Sequence, residues 1–129
     1  MRYIFGNPAF GTKNEAMEYL REELRDENAG RYRHSNAIDD VDSIIFAFDG
    51  KLLAELVVES VEDWTKQDRE LWPPTRKAYQ IKEVRIFRNR TVKARDVGLT
   101  QYRFGKQVSN RIYKKLIDEV GGIEQTIRI

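Results

Sequence analysis

Residues 44–56 read IIFAFDGKLLAEL, two apolar runs that are joined by Asp49-Gly50. This dipeptide favours a type I′ turn, because both of its residues tolerate a positive φ, and such a turn connects two antiparallel strands. The pattern predicts a β-hairpin of Val41–Phe48 and Lys51–Glu59. A two-residue turn also sets the register, which pairs Phe48 with Lys51, Ala47 with Leu52, Phe46 with Leu53 and Ile45 with Ala54.

The two faces of this hairpin differ in polarity. The predicted core face is wholly apolar and carries Ile45, Ala47, Leu52, Ala54, Leu56 and Val58. The other face mixes apolar residues with Glu55 and Glu59, so we expect it to be only partly covered. Phe46 and Phe48 on that face are expected to lie under the first helix.

Before the hairpin, the sequence indicates one strand and one helix. Arg2–Phe5 predicts the first strand, and turn residues follow it at positions 6–8. Thr12 and Glu15 have the spacing of a capping box, and the apolar positions after them predict a helix that ends at Gly30.

After the hairpin, residues 60–75 show no sustained period and predict a long connection. Tyr79–Phe87 is predicted to be a strand whose alternation changes phase, which indicates a bulge near Lys82-Glu83. We expect a further short strand at Thr91–Ala94 and then a helix that ends at Gly121-Gly122. The apolar stripe of that helix is Val108, Ile112, Leu116 and Val120.

This order of elements predicts the fold class. About five strands, one of them bent, and two flanking helices favour an α+β fold with a small, partly closed, bent β-barrel over a doubly wound sheet. The length of 129 residues suits a single domain that spans residues 1–129.

Composition narrows the classes of function. The chain has no cysteine and one histidine, His34, which excludes disulfides, thiolate zinc sites and cysteine nucleophiles. No apolar run approaches the ~20 residues of a membrane-spanning helix, so we expect a cytoplasmic protein without a membrane partner. Neither type of glycine-rich phosphate loop is present, and we expect no cofactor.

Charge is divided unevenly along the chain. Residues 1–75 sum to −7, residues 76–115 to +11 and residues 116–129 to −2. A basic block on an otherwise acidic domain predicts a one-sided positive surface for a polyanion such as nucleic acid. The residues expected to contact phosphates are Arg33, Arg76, Lys77, Arg85, Arg88, Arg90, Lys93, Arg111, Lys114 and Lys115. About six such contacts would give a log–log salt slope of about −4 to −5.

Four segments together carry a family resemblance. They are residues 3–7, YIFGN; residues 30–37, GRYRHSNA; the hairpin at residues 44–56; and residues 71–74, LWPP. In this order they resemble the PUA-like superfamily, in the branch that includes the EVE and YTH domains, which read modified bases. The resemblance spans roughly residues 2–120 and implies a pocket that receives a flipped, methylated base of DNA or RNA.

The expected base pocket comprises Tyr32, Trp72, Trp64, Asn7, Ser35 and Asn36. Tyr32, which stands where the family often has Trp, would sandwich the base with Trp72 or Trp64, at ~1–3 kcal/mol per stacked base. Trp72 is preferred because the prolines after it stiffen the backbone. Asn7, Ser35 or Asn36 would hydrogen-bond the edge of the base. The resemblance implies a non-catalytic specificity module of a modification-dependent restriction system, with a nuclease or NTPase domain or subunit as partner.

Other interpretations remain open at this point. The chain is alternatively an RNA-binding PUA-like domain without modification specificity, or a protein-interaction module that uses the half-covered hairpin face. Asp39, Asp40 and Asp42 would hold Mg²⁺ if the protein were a nuclease. Trp72 could be a loop anchor, and Asn7 and Asn36 are also typical turn residues.

Overall fold

The computed structural model describes residues 1–71 and 76–129 and shows an α+β fold built on one mixed sheet. The strands in these residues are β1 (Arg2–Gly6), β2 (Arg31–His34), β3 (Ser43–Phe48), β4 (Lys51–Asp63), β5 (Lys77–Phe87), β6 (Lys106–Gln107) and β7 (Ile123–Arg128). The helices are α1 (Lys13–Glu18), α2 (Leu24–Asp26), α3 (Lys66–Leu71) and α4 (Asn110–Glu119). A π-helical segment, Tyr19–Glu23, joins α1 to α2, and a 3₁₀ helix spans Ala94–Val97. In this part of the chain no helix has the length and apolarity to cross a membrane.

Backbone pairing orders the strands β2-β5-β4-β3-β1-β6, with β7 beside β5. β1 and β3 run parallel, and the other pairs are antiparallel. β5 pairs with β2 along its first half and with β7 along its second half. Over the described residues β2 and β6 lie at opposite edges, so the pairing does not show the expected barrel.

The sheet buries side chains on both faces. Because successive residues of a strand point to opposite faces, Phe5 and Phe46 pack with α1 and α2, whereas Ile4 and Ala47 pack with α4 and the 3₁₀ helix. The expectation of a half-covered hairpin face is therefore wrong. Phe46 does lie under the first helical layer, as predicted, with its ring centroid 6.4 Å from that of Tyr19.

The hairpin forms around Asp49 and Gly50, whose φ angles of 50° and 74° match the predicted type of turn. The predicted pairs Phe48–Lys51 and Ala47–Leu52 are confirmed. Beyond them the predicted register is wrong, because a bulge leaves Leu53 unpaired. The observed pairs are Phe46 with Ala54 and Ile45 with Glu55.

Past this bulge, the carboxylate of Glu55 is buried. Its Oε2 accepts hydrogen bonds from Arg2 Nε, at 3.2 Å, and from the Ser43 hydroxyl, and its Oε1 accepts from the Tyr113 hydroxyl at 2.6 Å. The guanidinium of Arg2 lies 3.3 Å from the centroid of the Tyr113 ring. A buried charge is tolerated when it is paired and hydrogen-bonded. These contacts connect α4 to β1, β3 and β4.

Several other local predictions are confirmed. Thr12 Oγ1 accepts a hydrogen bond from the N–H of Glu15 at 3.2 Å and so caps the first helix. Gly30 follows the helical layer with a φ of 79°. In β5 the register against β4 skips Lys82, which is the predicted bulge.

Two predictions about chain segments are wrong. Residues 60–63 continue β4 and residues 66–71 form α3, where the sequence predicted one long connection. Pairing with β5 extends β4, since strand formation depends on neighbouring strands more than on local propensity. Thr91–Ala94 contributes only an isolated bridge between Lys51 and Lys93, and β2, β6 and β7 were not predicted.

One buried carboxylate holds α3 against β2. Asp68 accepts hydrogen bonds from Arg31 at 2.5 Å, from Arg33 Nε at 3.0 Å and from the N–H of Thr65 at 2.8 Å. Burial acts to raise the pKa of Asp68, but the Thr65 N–H and the two guanidinium groups outweigh it and hold that pKa well below its usual range. Asp68 therefore stays charged and secures the start of α3, next to Trp64.

Replacing Asp68 should destabilise the fold, because two guanidinium groups would lose their shared carboxylate. We expect Asp68→Asn to lower the free energy of unfolding by about 2–3 kcal/mol in urea denaturation. Asp63→Asn is the matched control, since its side chain is 85% exposed against 6% for Asp68. It should cost ~0.5 kcal/mol or less. Equal losses for the two variants would show that the Asp68 contacts do not hold α3.

Candidate functional site

A cavity of about 670 Å³ opens where the carboxyl ends of β1 and β2 meet the segments on either side of α3. Its wall is built from Gly6, Pro8, His34, Ser35, Asn36, Ala37, Trp64, Arg76, Arg103 and Phe104. Residues that the sequence predicted for a base pocket or its phosphate contacts are therefore brought together here, namely Ser35, Asn36, Trp64 and Arg76.

His34 joins the two strand ends behind this cavity. Its Nε2 donates to the carbonyl oxygen of Gly6 at 2.7 Å, and its Nδ1 accepts from the backbone N–H of Asn36 at 3.1 Å. Because one nitrogen donates and the other accepts, the imidazole is neutral and held in one orientation. Three strands separate β2 from β1 in the strand order, so this contact requires the sheet to curl.

The structure does not place Tyr32 and Asn7 in the wall of this cavity beside Trp64, where the predicted base pocket would have them. Tyr32 is 2% exposed and packs in the core, so its ring faces are not open to a base. Its hydroxyl donates to Asn7 Oδ1. Asn7 Nδ2 donates to the carbonyl oxygens of Phe5 and Ala47, at 3.1 and 3.0 Å. The Asn7 side chain is thus occupied in holding β1 to β2 and β3.

The Asn36 side chain carries a hydrogen-bond donor that is unpaired as far as the described residues show. The residue is 6% exposed, and its Nδ2 has no partner in the described part of the chain. A buried donor left unpaired costs ~1–3 kcal/mol. This atom has almost no accessible surface and lies beside Gly105, so it is enclosed by the protein and does not face the open part of the cavity.

Gly105 allows a loop to lie directly on Asn36. Its φ is +79°, and a Cβ at this position would lie 2.6 Å from Ile38 Cδ1 and 3.1 Å from Asn36 Nδ2. A side chain here would therefore be strained and would push the loop away. The residues just before it, Arg103 and Phe104, are held in the cavity wall by this approach.

Besides His34, the described residues Trp64 and Phe104 place aromatic rings in the cavity wall. Trp64 is half-buried, and the guanidinium carbon of Arg69 lies 4.0 Å from its ring centroid. Phe104 is 77% exposed, with the guanidinium of Arg103 at 5.4 Å from its ring centroid. A planar ligand in the cavity would cover apolar ring surface that now faces water. Trp72, predicted for the base pocket, lies outside the described residues.

The cations that were expected at phosphates divide into two groups. The first group is engaged within the fold: Arg33 with Asp68, Lys77 with Asp39 and Asp63, Arg85 with Glu83, Arg90 with Glu124, and Arg88 with the carbonyl oxygens of Gly121 and Ile123. The second group forms no ion pair within residues 1–71 and 76–129 and comprises Arg76, Lys93, Arg111, Lys114 and Lys115. Of the second group, Arg76 lies in the cavity wall.

Two of the three acidic residues considered for Mg²⁺, Asp39 and Asp42, form ion pairs elsewhere. Asp39 pairs with Lys77 at 2.6 Å, and Asp42 pairs with the N-terminal amino group. Where the chain is described, no group of three histidine, aspartate or glutamate side chains is arranged to hold a metal ion.

The sequence analysis missed Arg103 and Phe104 as wall residues. Their local signal is the interleaving of rings and a cation in Tyr102-Arg103-Phe104, just before Gly105. Such a composition is typical of contacts to single-stranded nucleic acid. The segment is too short for this pattern to assign a site without the fold around it.

Comparison with known proteins adds no relative. No protein-family model, curated protein or solved structure matches the chain. The site is therefore interpreted from its own residues.

The burial of His34 makes the stability of the fold depend on pH. Burial lowers the pKa of His34 below its ordinary value of 6.5, and the hydrogen bond to the Gly6 carbonyl offsets part of this effect. In the unfolded chain the pKa returns to about 6.5, so below that pH the unfolded state binds more protons than the folded state. The stabilisation is present above about pH 6.5 and is lost as the pH falls through the lower folded pKa.

We expect the free energy of unfolding to fall between about pH 7 and about pH 5, as measured by urea denaturation. The ring resonances of His34, the only histidine of the chain, should titrate below the ordinary pKa in the folded protein. His34→Gln should give a flatter stability profile over the same range. A wild-type profile as flat as that of the variant would show that His34 is not held neutral by the fold.

Proposed function

We propose that the chain is a non-catalytic nucleic-acid-binding domain that recognises a modified, methylated base, which it takes out of the stack and holds in the cavity beside Asn36 and Trp64. The observation that carries the proposal is the meeting of three features in one wall: exposed ring surface, the polar side chains of Ser35 and Asn36, and guanidinium groups. In a modification-dependent restriction system, such a domain would direct a nuclease or NTPase partner to the modified site.

We also propose that the curled sheet is a PUA-like fold. In this interpretation, side-chain contacts complete the barrel in place of backbone pairing. They are the hydrogen bonds from Tyr32 to Asn7 and from His34 to Gly6. Both join β2 to the β1 end of the sheet, where closure of a barrel would occur.

Stacking and hydrogen bonding have separate roles in the proposed pocket. Trp64 and Phe104 take the place of Tyr32 as the rings that meet the base. Base–aromatic stacking at ~1–3 kcal/mol offsets the few kcal/mol that extrusion costs. A methyl group adds about 0.8 kcal/mol when it leaves water. The Ser35 hydroxyl would hydrogen-bond the edge of the base, and the Asn36 amide in the same wall would do so once turned toward the cavity.

The state of the polar groups supports binding over catalysis. Both ring nitrogens of His34 are engaged in hydrogen bonds, so the imidazole is not available as a general base. The other side-chain polar groups that the described residues place in the wall are an amide, a hydroxyl, the indole N–H of Trp64 and two guanidinium groups. Such groups orient a ligand and neutralise phosphate charge.

Titrations with matched oligonucleotides test this proposal. We expect a strand that contains N6-methyladenine or 5-methylcytosine to bind about fourfold or more tightly than the unmodified strand, as DNA or as RNA, in fluorescence anisotropy. Equal affinity within every pair would exclude recognition of a modified base and leave a general nucleic-acid-binding domain. Failure to bind any strand would exclude both.

Substitutions in the wall separate base recognition from backbone contacts. Trp64→Ala should weaken binding of the modified strand by about 1–3 kcal/mol and reduce discrimination. Arg76→Ala should weaken binding of the modified and the unmodified oligonucleotide alike. It should also make the log–log salt slope shallower by about 0.7 for a single-stranded ligand. Arg128→Ala, which removes an 88% exposed arginine outside the cavity wall, should change neither affinity. If Arg76→Ala abolished discrimination and Trp64→Ala did not, the two roles would be assigned the wrong way round.

A further inference from the structure

A second cavity, of about 680 Å³, lies beside the first. It is bounded by parts of residues 6–13, by the hairpin turn at residues 47–51 and by residues 102–103. The two cavities have Gly6, Pro8 and Arg103 in common, so these residues form a shared wall. A chain-like ligand held in the first cavity reaches the second by crossing this wall.

Positive charge dominates the second cavity. Lys13, Lys51 and Arg103 line it, against the single carboxylate of Asp49. In the described part of the chain, none of the three cations forms an ion pair; Lys13 Nζ donates to the carbonyl oxygen of Arg90 at 3.0 Å. Burial lowers the pKa of Lys13, and the positive charges of Arg90 and Lys51 lower it further. An anion placed among these cations would relieve their repulsion.

Aromatic rings give the second cavity an apolar side. Phe10, Phe48 and Tyr102 line it. The rings of Phe10 and Phe48 meet edge to face, with their centroids 6.5 Å apart. A small inorganic anion would use only the cations. A sugar–phosphate unit would use both sides, because it joins an anionic group to a sugar ring whose C–H groups can pack on aromatic rings.

We propose that the second cavity binds the phosphate and sugar of the nucleotide next to the one whose base enters the first cavity. This inference rests on the proposed function, since it takes the ligand to be a nucleic-acid strand. Arg103, in the shared wall, contacts the phosphate where the strand crosses between cavities. Lys13 and Lys51 neutralise that phosphate from the far side of the second cavity.

Neutral backbone linkages test this inference. The probe is the modified oligonucleotide with one phosphate at a time, on either side of the modified nucleotide, replaced by a methylphosphonate. For the wild-type chain we expect the replacement at one of these positions to weaken binding roughly tenfold. In the double variant Lys13→Gln, Lys51→Gln the same replacement should weaken binding only about two- to threefold, because two of the three cations that meet this phosphate are gone and Arg103 alone remains.

A matched control removes the same charge elsewhere. Lys82→Gln with Arg128→Gln alters two exposed cations that line neither cavity and should retain the tenfold effect of the neutral linkage. Denaturation curves identify which variants are folded. The control variant has the same net charge as the Lys13, Lys51 double variant, so a difference between them does not come from net charge.

The possible results separate failure of the phosphate site from failure of the proposed function. A tenfold effect that persists in the Lys13 and Lys51 double variant would overturn the second cavity as the phosphate site, and so would the absence of any effect at both positions in the wild type. If the wild-type chain bound no oligonucleotide, the proposed function itself would fail, and this inference with it.

Discussion

The contact between β1 and β2 is the constraint on which the rest of the structure depends. These strands are not neighbours in the sheet, yet His34 donates to Gly6 and Tyr32 donates to Asn7 across the gap. Loss of either bond would leave polar groups desolvated and unpaired, which is costly in a protein interior. Together the two bonds hold the end of β2 against the end of β1. The first cavity exists because those ends meet.

Two buried carboxylates attach helices to the sheet. Asp68 attaches α3 to β2 through Arg31 and Arg33, and it thereby places Trp64 in the cavity wall. Glu55 attaches α4 to the sheet through the hydroxyl of Tyr113. In each case a charge in the interior is satisfied by several donors, which is the condition under which burial of a carboxylate is tolerated. The segments around the cavity are thus held by polar contacts as well as by apolar packing.

The sequence predicted those features whose geometry is set by neighbouring residues. Asp49-Gly50 identifies the turn because its backbone conformation is a local requirement, whereas the bulge at Leu53 and the pairing of β7 depend on distant strands. In the site, Asn36 and Trp64 were predicted and lie in one wall. Tyr32 was misplaced because an aromatic ring with a polar end suits a core and a ligand pocket equally well in sequence.

The hydrogen bonds that hold His34 and the close approach of Gly105 to Asn36 mean that much of the wall is preorganised. The conformational entropy of these groups is lost during folding, so a guest does not have to order them. On association, the conformational entropy that is lost costs about 0.5–1.5 kcal/mol for each immobilised side chain. This cost then comes mainly from exposed side chains such as Arg103 and Phe104. Differences in affinity between guests would accordingly be expressed in how long each complex lasts before it dissociates.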